Sequence, residues 1–157
     1  MKIICWNVQG VKKSQLRQEV RFINRTINPD VLILLETMVN CQNTDWIINQ
    51  LGYRHFSTIP PVNHVGGIWF LRNSDNVEVT VIAKEPRIMH CLVLDKPIAK
   101  ECLVSAVYAP TRESQKDDFW LHLKHLHETI DKPWCILGDF NEMLHVKKNW
   151  RNPAYFK

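Results

Sequence analysis

Four apolar segments of the chain each run into a polar residue able to do chemistry. Ile3-Ile4-Cys5-Trp6 ends at Asn7, and Val31 to Leu35 ends at Glu36. Leu103 to Val107 ends at Tyr108, and Trp134 to Gly138 ends at Asp139, with Asn141 two residues on. In an extended chain residues i and i+2 point to one side. Asp139 and Asn141 are therefore expected on one face, with Phe140 turned away into the core; Asn7 and Gln9 are expected to share a face in the same way. Two carboxylates, several carboxamides and a phenol form a set of hard oxygen ligands and hydrogen-bond donors. Such a set suits Mg²⁺ and does not suit zinc, which prefers His and Cys. A metal-held phosphate attacked by an activated water is the reaction it can support. Each segment alone is more often an ordinary strand end. Four in this order, each after an apolar run, outweigh that reading.

The elements that must position these residues follow from hydrophobic periodicity. Residues 2–8 read as a buried strand. Residues 14–27 read as a helix, with Ser14 as N-cap and Leu16, Val20, Ile23 and Ile27 at helical spacing. Arg17, Arg21 and Arg25 form a stripe on its other face, which reads as solvated. Asn28-Pro29-Asp30 stops the helix, and Val31 to Leu35 has the continuous apolar character of a strand covered on both faces. A short helix is expected over 44–51, with Gly52 just past it. Strands are expected at 53–58, 67–72, 77–83, 88–94 and 101–108, with a loop between Pro60-Pro61 and Gly66-Gly67. A second amphipathic helix over 115–130 places Phe119, Leu123, Leu126 and Ile130 on one face, and Trp134 to Leu137 is a last buried strand. Mixed runs of this kind imply sheets covered by helices. The consecutive strands in the middle, and the lack of G-x-G-x-x-G or P-loop sequences, argue against a dinucleotide or P-loop nucleotide fold.

Composition narrows the field further. The chain has 157 residues, 45% of them hydrophobic and 23% charged. That is enough apolar content for a real core and too much for a disordered chain. No apolar run approaches the roughly 20 residues of a membrane span, and Met1 leads directly into a strand-like segment rather than a secretory leader. The expectation is an intracellular protein, nuclear or cytoplasmic, with no membrane role and no defined protein partner. Five cysteines without C-x-x-C spacing argue against a zinc site or a disulfide framework; Cys5, Cys102 and Cys135 read as small core residues. Residues 1–142 carry 16 basic and 16 acidic side chains, so the net charge of +4 comes entirely from Lys147, Lys148, Arg151 and Lys157. The body is neutral and the basic tail, residues 146–157, is weak evidence for nucleic acid.

Trp6-Asn7-Val8-Gln9-Gly10, Pro29-Asp30-Val31 through Leu35-Glu36-Thr37, Gly66-Gly67-Ile68, Tyr108-Ala109-Pro110 and Gly138-Asp139-Phe140-Asn141 together resemble the ordered motifs of the endonuclease/exonuclease/phosphatase superfamily, the apurinic-endonuclease and DNase I-like fold. The detailed wording is similar to endonuclease domains of plant non-LTR (LINE-type) retroelements. The resemblance runs from residue 2 to about 145. It implies an α+β, four-layer α/β/β/α sandwich, here incomplete at the C-terminal end. It implies Mg²⁺- or Mn²⁺-dependent phosphoester hydrolysis, with DNA as partner. By the same resemblance Glu36 is the main metal ligand, with Asn7 close to the metal or phosphate. Tyr108 hydrogen-bonds the scissile phosphate, Asp139 orients or deprotonates the attacking water, and Asn141 stabilises phosphorane-like charge. Gln9 stands on the substrate side, where some relatives carry an acidic residue.

The sequence contains no Asp-His pair, whereas the family closes its site with a Ser-Asp-His motif. None of the seven histidines is an evident replacement. His122, His125 and His127 lie on the second helix and read as surface or flank residues; His64 precedes Gly66-Gly67 near the expected rim. Weak or absent nuclease activity is therefore expected, with exposed apolar sheet faces and an unpaired edge. Two other readings stand beside this one. One is a phosphatase of the same fold acting on small phosphoesters. The other is a non-catalytic remnant or a fragment that holds nucleic acid through Lys147, Lys148, Trp150 and Arg151.

Overall fold

The computed structural model describes residues 1–11, 15–39, 41–63 and 65–142. Ser14, His64, His145 and the basic tail lie outside the described residues. Eight strands and three α-helices occur among them: β1 Ile3–Asn7, α1 Leu16–Thr26, β2 Val31–Leu35, α2 Thr44–Gln50, β3 His55–Ile59, β4 Ile68–Arg72, β5 Val77–Glu85, β6 Ile88–Asp95, β7 Lys100–Tyr108, α3 Glu113–Thr129 and β8 Trp134–Asp139. Two 3₁₀ turns, Cys41–Asn43 and Lys96–Ile98, complete the set.

The strands form two four-stranded sheets in the orders β1-β2-β4-β3 and β5-β6-β7-β8. β1 runs parallel to β2, β7 parallel to β8, and the other pairs are antiparallel. The two sheets face each other across Val31, Ile33, Leu35, Ile68 and Phe70 on one side and Met89, Cys91, Val93, Val104 and Ala106 on the other. The alternate residues of the first sheet, Leu32, Leu34, Trp69 and Leu71, pack with Leu16 and Val20 of α1 and Ile48 of α2. Ile88 and Val107 of the second sheet pack with Phe119 and Leu123 of α3. The result is the four-layer α/β/β/α sandwich. No helix among the described residues is long and apolar enough to cross a membrane.

Several expectations are corrected. β1 is half-buried along its length rather than buried, because it lies at the edge of its sheet and pairs only with β2. β8 is the corresponding edge of the other sheet, and Cys135 on it is exposed. Cys5 and Cys102 are partly buried, whereas Cys91 sits fully in the core. Ile27 caps the end of α1 with 44% of its surface exposed. Phe140 does not enter the core; its ring stacks on Trp120 of α3, centroids 5.8 Å apart. His125 and His127 are exposed on α3, but His122 turns inward, its Nε2 3.1 Å from Glu85.

Candidate active site

Strand direction creates the site. β1 and β2 are parallel neighbours in one sheet, β7 and β8 in the other, and all four end at one rim of the sandwich. Two hydrogen bonds then join the sheets. Asn7 Nδ2 donates to Asp139 Oδ2 at 2.7 Å, linking the ends of β1 and β8. The Tyr108 hydroxyl donates to Glu36 Oε1, linking the end of β7 to the residue after β2. The four strand-end residues singled out in the sequence are thus brought together.

The backbone around them is held by a second set of bonds. The β1–β2 pairing continues past the strands through Gly10 N to Glu36 O at 2.7 Å and Val11 N to Thr37 O at 3.1 Å. On the other side Met38 N donates to Gly66 O at 3.1 Å. Glu36 is caught between these segments in a left-handed conformation, φ +54°. Gln9, Met38 and Asn141 are left-handed too. Non-glycine residues rarely adopt this conformation, and such strain persists where the surroundings over-determine it, often at functional sites. Gly67 has no room for a side chain: a Cβ on it would collide with the Thr37 hydroxyl, next in sequence to Glu36. Gly138 is equally constrained, since a Cβ would meet the Val107 carbonyl on the neighbouring strand.

Asp139 is the most heavily tied residue. Its Oδ1 accepts the Asn141 N–H at 2.9 Å, and its carbonyl accepts the Ala109 N–H at 2.8 Å. Asn141 Nδ2 in turn donates to Ala109 O at 2.8 Å. Asn141 therefore stays with Asp139, but through an Asx-type turn rather than an extended i, i+2 relation. Gln9 departs from expectation. The chain leaves the extended conformation at φ +50°, the side chain is exposed, and its link to Asn7 is a backbone N–H donated to Asn7 Oδ1 at 3.2 Å.

Burial, reinforced by the bond to Glu36, pushes the Tyr108 phenol up to about 12. The hydroxyl remains a donor throughout the neutral range. Arg87, which the sequence reading passed over, lies with its guanidinium carbon 5.9 Å from the Tyr108 ring centre, and its carbonyl accepts the Tyr108 N–H at 2.9 Å. Pro86-Arg87 looks like an ordinary hairpin turn in sequence, so only the β5–β6 register reveals it.

Oxygen donors dominate the rim. Glu36 has one oxygen on Tyr108 and the other without a hydrogen bond among the described residues. At the same rim Asp139 is joined to Asn7, whose side-chain oxygen accepts the Gln9 N–H. This hard donor set fits a magnesium-class ion. Nothing in it offers the imidazole or thiolate that zinc favours.

Comparison with known proteins agrees with this architecture. A DNA-(apurinic or apyrimidinic site) endonuclease of Dictyostelium discoideum is 29% identical over 168 residues, covering 98% of this chain and 45% of that protein. The AP endonuclease LMAP from Leishmania major superposes with a TM-score of 0.65 at 18% identity, over 88% of this chain and 54% of that one. The endonuclease domain of TRAS1, a telomere-specific non-LTR retrotransposon, superposes with a TM-score of 0.61 at 12% identity, over 90% and 59%. The chain thus spans about half the length of these relatives. The sequence profile of the Endonuclease/Exonuclease/phosphatase family matches residues 4–145, and the chain belongs to that family.

Proposed function

We propose that this chain carries the metal-binding part of a divalent-metal-dependent endonuclease site acting on DNA phosphodiesters, of retroelement type. The observation that carries it is the pair of cross-sheet bonds, Asn7 to Asp139 and Tyr108 to Glu36, which gather hard oxygen donors and a protonated phenol at one rim. The similarity to an apurinic-site endonuclease and to the TRAS1 endonuclease domain supports the DNA and retroelement parts of the reading.

Glu36, with Asn7 beside it, would hold Mg²⁺ or Mn²⁺, which supplies Lewis-acid charge against a phosphate oxygen. With Glu36 engaged by the metal, Tyr108 would turn its hydroxyl proton from Glu36 to a non-bridging phosphate oxygen. Asp139, kept in place by Asn7 and by the Asn141 N–H, accepts a proton from the attacking water. The Asn141 amide would stabilise the charge that builds up on the phosphorus oxygens. The exposed Gln9 side chain would contact the substrate. The sequence contains no Asp-His pair, so nicking is expected on the order of 10³-fold below a family domain that has one.

Nicking of supercoiled plasmid tests the reading, with Mg²⁺ or Mn²⁺, with chelator, and with Glu36→Ala at equal foldedness. Slow, metal-dependent nicking that disappears in Glu36→Ala is the expected result. Nicking that survives chelation or the Glu36 substitution overturns it. The balanced charge of residues 1–142 favours a second reading, a phosphatase of small phosphoesters, since DNA binding draws on basic groups. Hydrolysis of inositol phosphates but not plasmid would select it.

A further inference from the structure

On the opposite face of the second sheet, under α3, three side chains converge. Each of Glu85, His90 and His122 presents one ligand atom, and these atoms all lie within 4.8 Å of one another. Glu85 Oε1 is 3.1 Å from His122 Nε2 and 4.0 Å from His90 Nε2. Both imidazole Nε2 atoms are buried and make no hydrogen bond of acceptable geometry. His90 is 4% exposed, so its unpartnered nitrogen points into the cluster from the core. Unsatisfied buried polar atoms are uncommon in folded proteins and call for an explanation.

We propose that Glu85, His90 and His122 form a zinc-class divalent metal site that pins the β5–β6 hairpin to α3. Two imidazoles and a carboxylate are a common three-ligand zinc set, with water in the fourth position. Ligand atoms around a tetrahedral zinc at bond lengths near 2.0–2.1 Å stand about 3.3 Å apart. The observed 3.1 and 4.0 Å separations bracket that value.

Two further features look built for this purpose. The first is a supporting shell. Ser105 Oγ lies 2.7 Å from His90 Nδ1 and accepts the Trp134 indole N–H at 2.7 Å. When the serine oxygen also accepts the Nδ1 proton, His90 is the tautomer whose Nε2 lone pair faces Glu85 and His122, the form that metal binding requires. A hydrogen bond at the other ring nitrogen is the usual partner of a metal-bound histidine. The second is a β-bulge. Val79 and Val81 pair with Val93 and Cys91 on the inner face, but after a register shift Ala83 pairs with His90 and Glu85 with Ile88 on the outer face. The extra residue moves the odd-numbered side chains of β5 from the core to the helix side. Without it Glu85 would point away from both histidines. Bulges that re-aim a side chain in this way are frequent beside functional sites.

The test uses the full chain without a histidine tag, stripped with chelator and titrated with Zn²⁺ against a competing indicator. One equivalent is expected to bind and to raise the melting temperature, with no displacement by excess Mg²⁺. His122→Gln and Glu85→Gln, both at partly exposed positions, should each weaken binding at least about tenfold while leaving the circular dichroism spectrum unchanged. Ser105→Ala should weaken it by about 10- to 100-fold. Co²⁺ in place of Zn²⁺ should show d–d absorption without a thiolate charge-transfer band. Absence of stoichiometric binding, unchanged affinity in both ligand variants, or a thiolate band pointing to the cysteines would each overturn the proposal.

Discussion

Strand β2 has an acid near each end, Asp30 just before Val31 and Glu36 just after Leu35, and the two live in opposite circumstances. Asp30 is 9% exposed; its Oδ2 accepts the Lys2 N–H at 2.7 Å and its Oδ1 the Ser74 hydroxyl at 2.6 Å. Its protein partners satisfy both oxygens and tie the starts of β1 and β2 to the turn after β4. Glu36 is half-buried on left-handed backbone, with one oxygen on Tyr108 and the other without a partner among the described residues. Asp30, buried and satisfied on both oxygens at the end of β2 away from the rim, serves structure. An acid held on strained backbone with spare acceptor capacity is available for chemistry. Sequence separates the two only by position, Glu36 closing the apolar run and Asp30 preceding it in the segment that stops the helix.

The largest effect that can sharpen this contrast is at Glu36. Glu36→Gln keeps the shape and an acceptor for Tyr108 but removes the charge. Metal-dependent cleavage should fall by about 10³-fold, roughly 4 kcal/mol, with little change in urea stability. A Glu36→Gln protein that loses stability and keeps cleavage would reverse the assignment of the two ends.

The strand between the two acids comes next. Ile33 is fully buried between the sheets, whereas Leu137 on β8 is only partly buried against the same core. Ile33→Ala should cost about 2–5 kcal/mol and Leu137→Ala about 1–2 kcal/mol in urea denaturation. Equal losses would mean that the β8 edge is packed as tightly as the sheet centre.

A smaller effect is expected at Asn7, the cross-sheet donor to Asp139. Asn7→Asp replaces that bond with two facing carboxylates. In chelator it should lower stability by about 1–2 kcal/mol, and Mg²⁺ should restore much of the loss. Destabilisation indifferent to Mg²⁺ would place the metal away from this pair.

Much of the fold was legible because the sequence speaks in periods. Val31 to Leu35 is apolar at every position because helices cover one face of β2 and the second sheet covers the other. The strand-end residues were legible because parallel pairs bring like ends together. What failed depended on partners that periodicity does not encode. Cys135 looks like core, yet lies on an edge strand. Gln9 missed its expected face because the i, i+2 rule ends where φ turns positive. The Glu85, His90 and His122 cluster was hidden most deeply. His122 lies on a helix 32 residues beyond His90, and a bulge inverts the parity of the strand that carries Glu85.

The smallest effect, at Asp30, is also the most diagnostic for the other end of β2. Burial by itself would raise the Asp30 carboxyl, but hydrogen bonds from Ser74, the Lys2 N–H and Asn76 outweigh it and hold the group below its ordinary value. A carboxyl lowered in the folded state adds stability above its unfolded value, near 3.9, and loses it as pH falls through the folded value. Asp30→Asn should therefore cost about 1 kcal/mol at neutral pH. The gap between wild type and variant should hold from neutrality down to about pH 4 and close below it. Metal-dependent cleavage at neutral pH should be unchanged, since Asp30 sits at the end of β2 away from the rim. A gap that persists unchanged into strong acid would mean that the Asp30 bonds stabilise the fold through shape alone, not through the charge that distinguishes this acid from a neutral amide.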